Sequence, residues 1–349
     1  MFNQQLMPLK VSIIILNAFQ TDNLQECLDS LKQTDYPDYE VIVVDCLTNN
    51  IQEFIQDNYP NVHLISLKED VGPAAMHNIG LKNANPKSKF IAFLDNDIIL
   101  DKNWLKELFY CIIQNEKIGA IQSKIMLYYE PNLFNTSGNK ANYLAVGWPD
   151  GYKTPDDGNN QVKEITFPSG ACMIIRRDAI EKVGGYDSDY FIYADDMDAG
   201  LRIMMAGYDI LYCPTSIIYH KYKFLKNPRN FYFLNRNRIY TFLKLYNFKT
   251  YLKLIPPYLL YEFSILIYAF QNKFLKELFK AYIYNIKNIR VIRQKRSDIK
   301  SFKVLTDKQI LNKLEGKINF SEISGHPAVK NLLNPFLDNY KKFVVNWVD

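Results

Sequence analysis

The sequence predicts an α/β protein with a mostly parallel, doubly wound sheet. Short apolar runs alternate with segments of helical periodicity from residue 10 to residue 127, which is typical of consecutive strand–helix units. The connections between these segments are short. Several of the runs end in carboxylates, and ligands of open α/β sheets bind just outside the carboxyl ends of the strands. We therefore expect a binding site at that edge of the sheet.

The composition indicates a folded chain in a reducing compartment. The 349 residues suffice for one large domain with additions, and 48% of them are hydrophobic against 23% charged. The five cysteines form an odd set without C-x-x-C spacing, which favours free thiols over a disulfide framework. Residues 1–10 lack the basic head, apolar run and small-residue cleavage site of a signal peptide. We expect a cytoplasmic protein.

The first part of the chain supplies strands and helices in alternation. The apolar run at 90–94 is central because Asp95 and Asp97 follow it directly. Gly72 and Pro73 introduce a small-residue segment that we expect to open a helix close to a ligand. The predicted strands are 10–16, 40–45, 62–67, 90–94 and 120–127, and the predicted helices are 24–31, 51–58, one that begins near 73, and 104–115.

The pattern is weaker after residue 127. Repeated Pro and Gly residues interrupt it between 128 and 162, which predicts a long functional loop. Further strands are expected at 165–175, 209–212 and 216–220, and helices at 177–183 and 201–206. The segment 191–198 lies between these helices as an acid-rich loop.

Residues 221–300 differ in composition from the rest of the chain. They hold 18 Lys and Arg, only 3 Asp and Glu, and 19 Tyr and Phe. Pro256 and Pro257 leave an apolar run of about 13 residues, short of the roughly 20 that a transmembrane helix needs. We predict amphipathic helices that lie on an anionic membrane surface. The alternative is a helical subdomain that packs on the sheet and whose lysines are merely solvated.

Three acidic clusters follow predicted strands or lie in loops. Each alone could be a helix cap, a turn or a solvated face. Side chains at i and i+2 of an extended chain point the same way, and converging carboxylates suit a hard cation such as Mn²⁺ or Mg²⁺. Together the clusters suit a sugar nucleotide, because a cation neutralises a departing diphosphate and an opposed carboxylate takes a proton from an acceptor hydroxyl. The clusters are Asp45, Asp95-Asn96-Asp97, and Asp195-Asp196 with Asp198.

Short motifs occur in a characteristic order between residues 10 and 220. They are VSIII at 11–15, VVD at 43–45, VGPAA at 71–75 with Asn78 and Gly80, DND at 95–97, SGA at 169–171, GGYD at 184–187, DD at 195–196 with Asp198 and Arg202, AGY at 206–208, and YH at 219–220. In this order they resemble the inverting glycosyltransferases of family 2, which have the nucleotide-diphospho-sugar transferase (GT-A) fold. The later region resembles, more loosely, the membrane-proximal tails of members that build surface polysaccharides or lipid-linked glycans.

The resemblance implies a role for each matching residue. Asp97 would bind Mn²⁺ or Mg²⁺ together with Asp95 and His220, although a lone histidine can also be a structural residue. Asp196 would be the general base, with Asp195 beside it. The donor would contact Leu16, Asn17, Ala18, Asp45, Gly72, Asn78, Asp95, Asn96, Ser169, Gly170 and Ala171, and the acceptor would contact Asp198 and Trp148.

Three departures from the family pattern affect the site. The first strand ends in Leu-Asn-Ala-Phe at 16–19 instead of a Pro-Thr/Ser-Tyr-Asn turn, and Cys-Leu-Thr-Asn-Asn at 46–50 replaces Asn-x-Ser-x-Asp. Both fall on the nucleotide pocket and leave the base open between uridine and thymidine. Asp195 replaces the usual Glu of the acid pair, so no carboxylate is lost.

These observations predict a metal-dependent inverting transferase. It would move a sugar from a UDP- or dTDP-sugar to a hydroxyl of a lipid-linked or polysaccharide acceptor, peripherally on the inner face of the cell membrane. The expected regions are a catalytic domain at 1–225 (donor half about 1–97, acceptor half about 98–225), a basic aromatic helical region at 226–300 and a small helical tail at 301–349.

Two other functions remain open. One is a sugar nucleotidyltransferase, although the Gly-rich basic loop expected after the first strand is absent at 16–20. The other is a nucleic-acid- or membrane-binding module on a degenerate transferase fold. The intact carboxylates argue against the second, and we expect no nucleic-acid partner.

Overall fold

The computed structural model describes residues 10–223, 225–320 and 329–348. The expectations for residues 1–9 and for part of the tail therefore lie outside the described residues. The strands are β1 (Val11–Ala18), β2 (Tyr39–Cys46), β3 (Val62–Leu67), β4 (Phe90–Asp95), β5 (Ile98–Leu100), β6 (Ile118–Leu127), β7 (Phe134–Thr136), β8 (Asn139–Ala141), β9 (Gly147–Pro149), β10 (Lys163–Glu164), β11 (Cys172–Arg176) and β12 (Asp209–His220).

Helices surround the sheet and form the C-terminal part of the chain. They are α1 (Asp22–Leu31), α2 (Ile51–Asn58), α3 (Pro73–Asn83), α4 (Trp104–Ile112), α5 (Arg177–Lys182), α6 (Asp195–Met205), α7 (Pro228–Leu245), α8 (Phe248–Gln271), α9 (Leu275–Lys287), α10 (Ile289–Phe302), α11 (Asp307–Lys313) and α12 (Asn334–Trp347).

A mixed sheet of ten strands forms the centre of the described chain. Its order is β10-β12-β6-β11-β4-β1-β2-β3, with β5 paired to β12 and β7 paired to β6. The strands β3, β2, β1 and β4 run parallel, as do β12 and β6. β11 lies antiparallel between β4 and β6. The predicted α/β class, with its largely parallel sheet and C-terminal helical region, is confirmed.

Both faces of the sheet are covered, which explains why its central strands are mostly apolar. In β1, Ile13 and Ile15 belong to the buried cluster that includes α1, α2 and α4. Ile14 and Leu16 belong to the opposite cluster, which includes α3, α5 and α6. Successive side chains of a strand point to opposite faces, so one run of four apolar residues, 13–16, serves both layers.

The register of the parallel strands aligns the predicted site residues. Asn17 of β1 lies opposite Asp45 of β2, and Leu16 lies opposite Asp95 of β4. Because these strands end at the same edge, their terminal polar side chains come together there.

The segment 128–162 is not the loop without secondary structure that its sequence predicts. β7 pairs with β6, and β8 and β9 form a hairpin. The hairpin turn is held by the C-terminal tail: Asn142 Nδ2 donates to Gly316 O at 2.6 Å, and Tyr143 OH donates to Leu337 O at 3.1 Å. These strands have three residues each and depend on distant partners, so local periodicity does not reveal them.

Other boundaries also differ from the prediction. The strand expected at 165–175 is confined to β11, and the two strands expected at 209–220 are one strand with an irregular register between Cys213 and Ile217. The acid-rich segment is not entirely a loop, because α6 begins at Asp195. The paired prolines do not interrupt the helix in the basic aromatic region either, since α8 runs for 24 residues through Pro256 and Pro257.

α8 is, within the described residues, the helix that by length and composition alone could cross a membrane. Only 22% of its most apolar stretch is buried.

We expect Gly80→Ala to destabilise the protein although Ala favours helices by about 1 kcal/mol. A Cβ at Gly80 would lie 2.4 Å from Cγ2 of Ile14, which is fully buried in β1. Overpacking of this kind costs about 1–3 kcal/mol, measurable as the free energy of unfolding in urea. The Ile14→Ala background removes the clash, so the cost of Gly80→Ala should vanish there. An equal cost in both backgrounds would contradict the packing argument.

Candidate active site

Asp95, Asp97 and His220 converge at the carboxyl edge of the sheet. Each can offer one ligand atom, and these atoms lie within 4.8 Å of one another. Asp95 ends β4, Asp97 lies in the turn that follows, and His220 ends β12, which pairs with β5. Two carboxylates and an imidazole form a donor set that suits Mn²⁺ and can also accept Mg²⁺.

His220 is held in one orientation by a second contact. Its Nε2 lies 3.1 Å from Asp97 Oδ1, and its Nδ1 lies 2.9 Å from Asn135 Oδ1. Asn135 Oδ1 can only accept, so Nδ1 donates to it, and Nε2 faces the carboxylates, where it can ligate a cation or, when the ring is cationic, donate to Asp97. A metal-ligating histidine is oriented in the same manner by a second hydrogen bond.

The pKa values of the cluster reflect its crowding. Burial and the charge of Asp97 raise the pKa of Asp95 to about 6. Burial also acts to raise the pKa of Asp97, but the hydrogen bond and charge of His220 outweigh it and lower this pKa. Burial lowers the pKa of His220, yet the contact with Asp97 wins and raises it. A divalent cation would relieve the same repulsion, so the residues present fit a metal.

A polar network at the ends of β1 and β2 lies beside the cluster of Asp95, Asp97 and His220. Asn17 Nδ2 donates to Asp45 Oδ1 at 2.7 Å and to Thr48 Oγ1 at 3.1 Å. Asn96 Nδ2 donates to Asn17 Oδ1 at 2.6 Å. Asp45 is fully buried, and its second oxygen accepts the backbone N–H of Thr48. The structure thus brings Asn17, Asp45 and Asn96, which were predicted to contact the sugar donor, together with Thr48. Asn96 connects them to the turn that contains Asp95 and Asp97.

The small-residue segment 169–171 contacts both Asp95 and the acid pair Asp195–Asp196. Asp95 N donates to Ala171 O at 3.2 Å, and Gly170 N donates to Asp196 Oδ2 at 3.2 Å. Ser169 N donates to Gln122 Oε1. The predicted donor segment therefore lies between the two carboxylate groups.

Asp195 and Asp196 begin α6 and share the electrostatics of this site. Burial raises the pKa of Asp196 to about 6, against the lowering effect of hydrogen bonds from the N–H groups of Gly170 and Met197. Burial, and next the charge of Asp196, raise the pKa of Asp195 well above its usual range. The charge of Asp196 also acts on Asp95. A carboxylate with a pKa near 6 is suited to take a proton near neutral pH.

Some residues assigned to ligands by the resemblance are engaged elsewhere. Asn78 makes two 2.8 Å hydrogen bonds with the backbone N–H and C=O of Tyr186, which occupies its amide. Asp198 is buried and pairs with Arg202 and with Lys244, each at 2.7 Å. These contacts hold both side chains in place within the protein, and the donor role of Asn78 and the acceptor role of Asp198 stay predictions.

Gly72 and Trp148 also have structural surroundings. Gly72 has φ +77°, and a Cβ there would lie 2.6 Å from Phe191 O, so both its conformation and its neighbour require glycine. Trp148 is buried in the core cluster around the hairpin. Its indole N–H has no hydrogen-bond partner within the described residues, and an acceptor role for Trp148 stays a prediction.

The sequence reasoning missed Asn135 and Gln122. Asn135 lies in β7, inside the segment without a pattern, and Gln122 is a buried polar residue within apolar β6. A polar residue in a buried strand is the one signal that could have drawn attention to Gln122, because such groups need partners.

A groove of about 580 Å³ opens beside His220. Lys153 and Lys223 lie over the rings of Tyr152 and Tyr129 at 5.4 and 5.9 Å. The lining also includes Leu127, Tyr128, Glu130, Tyr222, Leu225 and Lys226. The groove thus combines aromatic rings with positive charge next to the metal cluster.

Solved structures share this fold. The structure of GalNAc-T7 with UDP, GalNAc and Mn²⁺ superposes with a TM-score of 0.55 and 18% identity. The match covers 67% of this chain and 48% of the GalNAc-T7 chain. The structure of S. aureus TarS 1-349 in complex with UDP matches 97% of this chain and 91% of its own, with a TM-score of 0.53 and 17% identity. At these identities the likeness is one of fold.

Relatives by sequence include proteins named for O-antigen synthesis. The O-antigen biosynthesis protein RfbC of Myxococcus xanthus is 27% identical over 225 residues, which are 61% of this chain and 17% of RfbC. The O-antigen chain rhamnosyltransferase WbaN of Salmonella anatum is 25% identical over 194 residues, which are 55% of this chain and 59% of WbaN. The matches thus cover less than two thirds of either relative.

The family itself follows from a match over most of the chain. The sequence profile described as Glycosyltransferase like family 2 matches residues 8–239. This range contains the metal cluster, the polar network at β1 and β2, and the acid pair. The chain belongs to the family 2 glycosyltransferases.

Proposed function

We propose that this glycosyltransferase moves one sugar from a nucleoside-diphosphate sugar to a hydroxyl of a lipid-linked or polysaccharide acceptor, by a metal-dependent, inverting single displacement. The observation that carries the proposal is the contact of the segment 169–171 with both carboxylate groups: Gly170 N donates to Asp196, and Ala171 O accepts the N–H of Asp95, which clusters with Asp97 and His220. A base and a cation site that share one small-residue segment would suit a displacement on a sugar bound there.

Each group has a distinct part in the reaction. Asp95, Asp97 and His220 would hold Mn²⁺ or Mg²⁺, which when bound supplies positive charge to the departing diphosphate. Asp45 and Asn17 would bind the nucleoside through polar contacts. Asp196 would take the proton of the acceptor hydroxyl as its oxygen bonds to the anomeric carbon and the diphosphate leaves from the opposite face. Attack opposite the leaving group inverts the configuration.

The groove beside His220 suits the acceptor. Its tyrosine rings offer flat apolar faces to sugar rings, and Lys153 and Lys223 suit a phosphate of a lipid-linked acceptor. Three of its tyrosines, Tyr128, Tyr129 and Tyr152, belong to the segment 128–162, for which the sequence predicts a functional loop. Names of relatives that refer to O-antigen synthesis and to rhamnosyl transfer support a glycan acceptor and a deoxyhexose donor. Two structural neighbours are named with UDP and a third with GDP-Man, which supports a nucleoside-diphosphate sugar as the donor and leaves the base to the binding experiment below.

Three C-terminal helices expose apolar side chains at helical spacing, and we propose that they rest peripherally on the inner face of the cell membrane. Phe263 and Phe270 of α8 are 60% and 72% exposed, and Trp347 of α12 is 55% exposed. Contiguous exposed apolar surface is unusual for a monomer in water, and the surrounding lysines suit anionic lipid headgroups. Other exposed apolar residues of these helices are Leu252, Leu259 and Ile267 of α8, Phe279, Ile283 and Ile286 of α9, and Phe336 and Phe343 of α12.

We expect Asp97→Ala to abolish metal-dependent nucleotide binding. Titration calorimetry of UDP and dTDP, with and without Mn²⁺, measures this directly, and the better ligand identifies the base. The loss of a charged ligand should weaken binding at least about tenfold. Asp101→Ala, which removes an exposed carboxylate nearby, is the matched control and should bind like the wild type. Unchanged nucleotide affinity of Asp97→Ala, or nucleotide binding of the wild type that does not depend on Mn²⁺, would count against the metal site.

Asp196→Asn should lower kcat by roughly 10²–10⁴-fold, because the amide cannot accept a proton. UDP binding should be unchanged. In the wild type, kcat/KM should fall as the pH drops below about 6, since protonation of Asp196 removes the base. This acidic limb should disappear in the residual activity of Asp196→Asn. Loss of UDP binding together with activity would contradict the assignment of Asp196 as the general base.

Binding to vesicles should depend on exposed apolar side chains of α8. Phe263→Ser with Phe270→Ser should reduce co-sedimentation with phosphatidylglycerol-containing vesicles and leave thermal stability unchanged, because both rings are exposed. Tyr110→Ser removes an exposed ring on α4 and serves as the control. Wild-type binding should weaken with salt and on pure phosphatidylcholine. A higher affinity for RNA than for anionic vesicles would contradict the membrane role.

A further inference from the structure

The backbone just before the acid pair has an unusual shape. Phe191 has φ +60° and ψ −73° and is the centre of a three-residue turn in which Ile192 N donates to Tyr190 O at 2.7 Å, a rare and strained form. Tyr193 and Ala194 have φ values of +67° and +59°, which residues other than glycine seldom adopt. Such a segment keeps its shape only when its surroundings hold it.

One buried amide of the helical region holds this segment. Asn237 of α7 is 1% exposed, and the two N–H groups of its Nδ2 are shared among three carbonyl oxygens of the strained backbone. The accepting carbonyls are Tyr190 O at 3.1 Å, Ile192 O at 2.8 Å and Tyr193 O at 2.7 Å. Any relaxation of the segment would break several of these contacts together.

Arg236 fixes the orientation of that amide. Its Nε donates to Asn237 Oδ1 at 2.7 Å, so the amide oxygen faces the guanidinium and the NH₂ group faces the carbonyls. The Arg236 Nη2 adds hydrogen bonds to Asp189 O, at 2.8 Å, and to Tyr190 O. The two neighbouring residues of α7 therefore act on the same segment as one unit.

The held segment connects the donor side of the site with the acid pair. Phe191 O accepts Ala74 N at the start of α3, at 3.4 Å. At its other end, Ala194 O accepts Asp198 N at 2.9 Å and so begins α6. Asp196 lies in that first turn and contacts Gly170 N. The direction in which α6 leaves the segment therefore sets the position of the Asp196 carboxylate.

We propose that Asn237 and Arg236 are positioning residues for the reaction. They hold residues 190–194 in the shape that places Asp196 against Gly170, which makes α7 part of the catalytic machinery in addition to any contact of the C-terminal helices with membrane. The assignment of Asp196 as the base rests on the proposed function.

The test compares Asn237→Ala and Asn237→Asp with Asn235→Ala. Asn237→Asp keeps the volume and removes both N–H donors. Asn235 is a buried asparagine of the same helix whose amide donates within α7, to Phe231 O, so Asn235→Ala is a matched control. We would measure kcat, the KM for the donor, the pH profile, UDP binding with Mn²⁺ and the hydrogen exchange of residues 190–198, all in the full chain.

We expect both Asn237 variants to lose roughly 100-fold in kcat, since a displacement of about 1 Å has that effect, while the donor KM and UDP binding change by no more than about twofold. The acidic limb of kcat/KM should move to higher pH, because a weakened Gly170 contact raises the pKa of Asp196. Exchange of residues 190–198 should quicken relative to Asn235→Ala.

Several results would overturn the proposal. These are a loss of kcat no larger than that of Asn235→Ala, an unmoved acidic limb, or unchanged exchange at 190–198. Failure of both Asn237 variants to fold would show a purely structural role and overturn it as well. If the wild type transfers no sugar from any donor, the proposed function fails, and the exchange comparison alone then decides whether Asn237 holds the segment.

Discussion

The mutual repulsion of carboxylates at one edge of the sheet is the constraint on which the rest of the structure depends. Burial raises the pKa values of Asp95, Asp195 and Asp196, and the charges of neighbouring carboxylates add to the rise at Asp95 and Asp195. Like charges in a partly buried site favour separation or protonation. The fold counters this with His220, with backbone N–H donors and with a geometry that a divalent cation would complete.

A second set of charged residues holds α7 of the helical region against α6 and the segment that precedes it. Lys244 of α7 is buried between Asp187 and Asp198, at 2.7 Å from each, and Arg202 also pairs with Asp198. Burial of such groups is costly unless each finds partners, and removal of one partner typically costs about 3–5 kcal/mol. The network therefore favours one docking of α7 on α6 over others. That docking is also what brings Asn237 to the segment ahead of the acid pair.

The sequence predicted what local pattern decides. The strands β1 to β4, the turn with Asp95 and Asp97, and the acid pair all lie in short segments whose apolar spacing and terminal carboxylates are visible without a partner. It did not predict the start of α6, the hairpin of β8 and β9, or the role of Asn135, because contacts with distant residues decide these. The hydrogen bond from Asn78 to the backbone of Tyr186, 108 positions later, is a further contact that no local pattern reveals.

The hairpin between β8 and β9 has a consequence for how the chain folds as it is made. Asn142 bonds to Gly316, 174 positions later, and Tyr143 bonds to Leu337. Ribosomes add about 5–20 residues per second, so the hairpin waits roughly 10–35 s for its partner to be synthesised. During that time Tyr143 and its apolar neighbours lack the surface that later covers them. Nascent chains of this protein are therefore most exposed to chaperones, and to misfolding, after the sheet has formed and before the tail emerges.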